Sequence, residues 1–284
     1  MTEQILQNQN AHRSSFLRSC KVIFDITFGQ TIRSKKTVFM LIVTFLPFLL
    51  AVCYRILAYN VRPEQAFSRI IMLSPEQTLS SVMTFYLQFL STLVALFYGT
   101  ALFADEIDNK TITYLFTRPV RKYSIMLGKF AAYISEVFLI LIPPMLLTFL
   151  VIATDNRVSK SFVNSLSLFS KQLGVTVLSL IVYGAIFTFF GTFLKRPVLF
   201  GLLLAFGWEK MAIVVPGTIR KFSVIHYLLS AFPGGTAARS FMRLPEEMNP
   251  SSSIFLSIIV LLAITSVFLG LSVFMIYYKE YRFE

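Results

Sequence analysis

Unbroken apolar runs of about twenty residues recur along this chain, the length a helix needs to cross a hydrocarbon core of about 30 Å. Six can be marked, at residues 37–59, 78–103, 130–153, 173–194, 198–215 and 253–278. A transmembrane β-barrel needs segments of about ten residues that alternate polar and apolar, and these runs do not alternate. Water is also the wrong solvent for the composition: 14% of the 284 residues are charged and the mean hydropathy is +0.71, against about 25% charged in soluble domains. The expected fold is an all-α integral membrane protein with six transmembrane helices. The fifth run is the weakest, because Glu209 and Lys210 lie inside it, and five crossings remain the alternative. The third run holds Glu136 and the pair Pro143-Pro144, whose missing amides leave helix carbonyls without their usual donors.

Positive charge sets the expected orientation. With six crossings, 15 of the 26 Lys and Arg residues fall on the side of the two termini and ten on the other, so both termini are expected in the cytoplasm. The chain then divides into a cytoplasmic segment 1–36, a membrane domain 37–278 and a cytoplasmic tail 279–284. Within the membrane domain lie a cytoplasmic connection, 104–129, and a long outer loop, 216–252. The location implied is the cell membrane (inner or cytoplasmic). The first run follows 36 mostly polar residues and is too long for a signal-peptide core, so it stays in the mature protein.

The formal net charge of +12 does not indicate nucleic acid. The basic residues border apolar runs and build no basic face with interleaved aromatics; anionic lipid headgroups account for them. Cys20, Cys53, His12 and His226 are too scattered for a disulfide framework or a zinc site. Paired aspartates, a His-Glu-x-x-His run and a Ser with a basic partner at membrane depth are all missing, which excludes the common membrane hydrolases.

Ahead of the first run, Phe16, Cys20, Ile23, Phe24 and Thr27 recur at helical spacing, with Arg13, Arg18, Lys21 and Arg33 in other directions. This describes an interfacial helix in the headgroup plane or a cytosolic helix packed on its own protein. Small residues one turn apart, Gly128 and Ala132, Ala131 and Ser135, Gly201 and Ala205, Ser266 and Gly270, permit close helix contacts in lipid. The outer loop is punctuated by glycines and prolines into short helices or turns, forming either a lid over a pathway or a packed cap.

The connection 104–129 mixes both charge signs with an apolar centre. Asp108 or Asn109 can cap a short helix reaching Thr117, with Pro119 stopping it. Ile112, Leu115 and Phe116 then form an apolar ridge that either meets a partner or packs beneath the bundle, while Arg118, Arg121 and Lys122 sit at headgroup level.

Glu106, Thr111, Leu115, Arg118-Pro119, Arg121 and Gly128-Lys129 together resemble the signature region of ABC-2 type permeases. Lys110 departs from the pattern, where the family usually has Gly. The resemblance implies a transmembrane subunit of an ATP-binding-cassette exporter, paired with an identical or related second permease subunit and resting on a cytoplasmic ATPase subunit. Residues Glu106, Thr111, Ile112, Leu115, Phe116, Arg118, Pro119, Arg121, Gly128 and Lys129 would form the element that couples to that ATPase. ATP and Mg would bind the partner and no cofactor this chain, which has no Gly-x-x-x-x-Gly-Lys-Ser/Thr loop. A Phe-rich membrane domain with few buried charges suits an amphiphilic or lipid-like cargo. A secondary ion-coupled transporter, with Glu136 carrying a proton, and a structural subunit of a membrane complex remain alternatives. Glu136, Glu209 and Lys210 are the possible intramembrane polar sites; the adjacent Glu209 and Lys210 cannot share a helical face.

Overall fold

In lipid a backbone amide finds its partner within its own segment or goes unpaired, so long apolar runs fold as helices. The computed structural model describes residues 18–60, 75–108, 122–154, 162–214, 218–233 and 253–278, and every regular element among them is helical. In chain order these are α1 (residues 18–32), α2 (Lys35–Asn60), α3 (Pro75–Phe85), a π-helical turn Tyr86–Leu90, and α4 (Ser91–Asp108). They continue with α5 (Lys122–Ala153), α6 (Phe162–Phe193), α7 (Pro197–Leu202), a second π-turn Leu203–Trp208, and α8 (Glu209–Val214). A 3₁₀ turn, Thr218–Phe222, leads into α9 (Val224–Ala231), and α10 (Ile254–Tyr278) ends the described chain.

Five helical spans are long and apolar enough to cross a membrane: Lys35–Ile56, Thr78–Ile107, Tyr123–Ala153, Val163–Phe193 and Ile254–Tyr278. The run at 198–215 is the exception among the six expected. It is helical from Pro197 to Val214, but as α7, a π-turn and α8 in succession. The wider turn lies immediately before its two charged residues.

The bundle is inside-out relative to a soluble protein. The most apolar span, α10, with a mean hydropathy of 2.8, is also the least buried, at 17%. Its buried side carries Ser257, Thr265 and Ser272 with Leu261 and Ile276, while Phe255, Val267, Phe274 and Tyr278 face outward. That division is unfavourable in water and favourable in hydrocarbon, where small and polar side chains mediate helix contacts and apolar ones meet lipid.

Cross-helix contacts fix the directions of the elements. Thr44 reaches Ile140, and Arg55 reaches Val151 and Thr154, so α2 and α5 run parallel. Ser91 meets Ser179, and a Cβ on Gly191 would come within 2.6 Å of the Thr100 carbonyl, so α4 and α6 run parallel at near-backbone contact. Phe189 packs on Phe268, and Gly174 lies with Ile254, so α6 and α10 are parallel too. Tyr86, Tyr98 and Lys36 with Asp105 tie α2 antiparallel to the second span.

Helix α5 continues through both prolines. Pro144 cannot donate to the carbonyl of Ile140 four residues earlier, and the Thr44 hydroxyl of α2 donates to that carbonyl instead, at 3.3 Å. The Tyr86 hydroxyl donates to the Thr44 carbonyl and shares a 3.0 Å hydrogen bond with Thr148, whose own hydroxyl donates to Pro144 O. At the other end of α5, Arg55 donates to the carbonyls of Val151 and Thr154, placing a cation where the helix carbonyls lack partners.

Helix α1 packs on the start of α5. A Cβ on Gly128 would lie 2.9 Å from the Cys20 carbonyl and 3.1 Å from Ile23, so only glycine fits at that crossing. Ile23 is buried, and the Cys20 thiol donates to Ser124 O. Val22 and Ile26 point away from the protein at 49% and 53% exposure. The helix therefore both packs on its own protein and keeps an apolar flank free. Of the small-residue pairs, Gly128/Ala132 and Gly201/Ala205 are buried in contacts, whereas Ala131, Ser266 and Gly270 face outward.

Candidate functional site

The two ends of the 104–129 connection meet. Glu106 lies in the last turn of α4 and Lys129 in the third turn of α5, and their side chains form an ion pair. Lys129 is 2% exposed. Its ammonium also donates to Leu102 O at 2.7 Å and sits 4.6 Å above the centre of the Phe103 ring. A charge so enclosed is tolerable because a carboxylate, a carbonyl and a ring face surround it. Lys36 and Asp105 form a second pair nearby at 2.7 Å, but both are more than half exposed and so hold little energy.

Of the residues expected to couple to a partner, Glu106 and Lys129 are brought together here. Thr111, Ile112, Leu115, Phe116, Arg118, Pro119 and Arg121 lie outside the described residues. Asp108 is the final residue of α4. Gly128, grouped with them in the sequence, meets α1.

Glu136 lies two turns beyond Lys129 on the same side of α5. It is 1% exposed, and its Oε1 has no hydrogen-bond partner among the described residues. It lines a cavity of about 160 Å³ that also reaches Thr27, Thr31, Ser34, Tyr98, Glu106 and Lys129.

Glu209 and Lys210 point to different partners, as neighbours on a helix must. Glu209 is buried and accepts from the Ser223 hydroxyl at 3.0 Å, Val224 N–H at 3.2 Å and Ile225 N–H at 2.9 Å. It thus caps α9 from another helix, supplying the first turn with acceptors that Ser223, the residue at the cap position, does not provide. Lys210 donates at 3.1 Å to the carbonyl of Gln88, inside the first π-turn. Sequence reading passed over Gln88 and Ser223. Gln88 alone left a signal, as an amide inside an apolar run.

These features describe a helical membrane domain in which Glu209 and Lys210 are tied into structure and whose ion-paired connection joins two spans at one end. Among the described residues no cluster of three or more His, Cys, Asp and Glu is arranged to hold a metal ion. No curated protein matches the chain. A family model described as ABC-2 family transporter protein matches residues 31–208, from the end of α1 through the second π-turn and well over half of the sequence. The chain is a membrane permease that belongs to the ABC-2 family of transporter proteins.

Proposed function

We propose that this chain is the transmembrane subunit of an ATP-driven exporter, working with a second permease subunit and a cytoplasmic ATPase that binds ATP and Mg²⁺. The observation that carries this reading is the ion pair between the buried Lys129 and Glu106. It locks the end of α4 to the start of α5 on either side of residues 109–121, so a push on that connection moves both spans together. Apolar side chains on the connection would supply affinity for the ATPase and the flanking charges its register.

On this reading residues 197–214 make the sixth crossing. Support comes from direction: α6 and α10 are parallel, so the chain returns between them, and Gly201 against Leu96 with Lys210 against Gln88 runs this stretch antiparallel to the second span. Both termini then lie in the cytoplasm, on the side of the charge excess. An amphiphilic or lipid-like cargo fits the mostly apolar cleft lined by Val175, Leu178, Phe232 and Ile258, open between α6, α9 and α10, with Lys171 at its rim.

The test is Phe116→Ala. Wild type and variant are purified in one detergent and compared for thermal stability. Each is then titrated with the Walker-motif ATPase that co-purifies with the chain, and ATP turnover is measured in proteoliposomes. We expect unchanged stability of the isolated subunit with about tenfold or greater loss of ATPase affinity, a cost of about 1.4 kcal/mol or more. Equal affinity and turnover would remove Phe116 from the interface. A destabilised isolated subunit would place it beneath its own bundle.

A further inference from the structure

Among the described residues, the cavity beside the coupling end holds one more carboxylate than it has cations. Lys36 is paired with Asp105 and Lys129 with Glu106, which leaves Glu136, almost completely enclosed, with Oε1 unpartnered. Two of the hydroxyls around it direct their protons elsewhere: Tyr98 donates to Thr37 Oγ1 and Thr37 donates to the Thr31 carbonyl. The Thr31 hydroxyl, which donates to the Thr27 carbonyl, also lies within hydrogen-bonding reach of the Glu136 carboxyl. The cavity therefore turns oxygen lone pairs and one spare negative charge inward. Such a surface repels anions and suits a small hard cation. About 160 Å³ holds an ion together with water.

We propose that Glu136 and this cavity bind one monovalent cation, a proton or an alkali-metal ion, at the junction of α1, α2, α4 and α5. The spare charge of one sets the valence. The site's position gives binding a consequence, because its walls include both Glu106 and Lys129. A cation held there changes the field at the Lys129–Glu106 pair, which shares the cavity. The titratable groups around Glu136 are Lys36 from α2, Tyr98, Asp105 and Glu106 from α4, and Lys129 and Tyr133 from α5. Helix α1 contributes only Thr27, Gln30 and Thr31 to the lining.

The experiment uses the full chain in detergent without its ATPase, so its outcome does not depend on the coupling role proposed above. Thermal unfolding of wild type and Glu136→Gln is followed between about pH 6 and 9 while choline chloride is replaced by NaCl or KCl at constant ionic strength. A saturable rise in wild-type Tm with Na⁺ or K⁺, absent in E136Q, identifies an alkali-metal site. No metal response, with wild-type Tm falling relative to E136Q as pH rises, identifies a proton site. Parallel pH profiles with no saturable response to either metal overturn the proposal. If E136Q does not fold, Thr31→Val keeps the carboxylate and removes a neighbouring oxygen. It should move the half-saturation concentration, or the midpoint expressed as proton concentration, by about tenfold. An unmoved midpoint also overturns the proposal.

Discussion

At Glu209 one carboxylate serves three donors that would otherwise be buried without acceptors. Leaving a buried donor unsatisfied costs about 1–3 kcal/mol, so Glu209→Ala should lower the Tm of the purified chain markedly. Glu209→Gln, which keeps one acceptor oxygen, should fall between alanine and wild type; equal Tm values for all three would mean the cap contributes nothing. Lys129 offers a parallel test. Breaking a wholly buried ion pair costs about 3–5 kcal/mol, and Lys129→Met should cost less, because Glu106 is 29% exposed and water can reach it. In a double-mutant cycle, adding Glu106→Gln to K129M should cost less than it does in wild type, and additive losses would show that the two side chains act independently. Neither partnership was legible in the sequence. Glu209, Lys129 and Glu106 stood out in the sequence and Ser223 did not; Ser223 is 14 positions from Glu209, and the pairing depends on how the chain returns to the bundle.

The existence and kind of the long elements were legible because the bilayer imposes a length and a polarity on them. Their ends were less so. Helix α5 begins at Lys122 and α6 at Phe162, well before the apolar runs at 130 and 173. Hydropathy registers only the stretch in hydrocarbon, while hydrogen bonding carries a helix on into the headgroups. The sequence also left open whether the first helix lies on the membrane or on the protein. Gly128 admits α1 to near-backbone contact with α5, while Val22 and Ile26 keep an apolar flank turned away from the protein. Gly128→Val should force α1 off α5 and free the Cys20 thiol, which burial holds above its ordinary pKa and which donates to Ser124 O. In a Cys53→Ser background, Cys20 should react severalfold faster with a maleimide than in the glycine parent. An unchanged rate would mean that α1 accommodates the added methyl groups without moving.

For the molecule as a whole, the charge excess and the alternating helix directions lead to one expected topology. Single cysteines at Ser14, Ser251 and Tyr281, in a chain freed of Cys20 and Cys53, should give labelling by an impermeant reagent in intact cells at Ser251 alone. Labelling at Ser14 or Tyr281 without Ser251 would invert the molecule. The way Glu209 caps α9 also bears on how such a molecule is made. An eight-residue helix is too short to hold itself together, so α9 depends on an acceptor that another part of the chain supplies. That acceptor lies N-terminal to it and leaves the ribosome first. Once residues 197–214 have settled among α4 and α6, the carboxylate is waiting in position, and the segment that follows folds onto a template already in place.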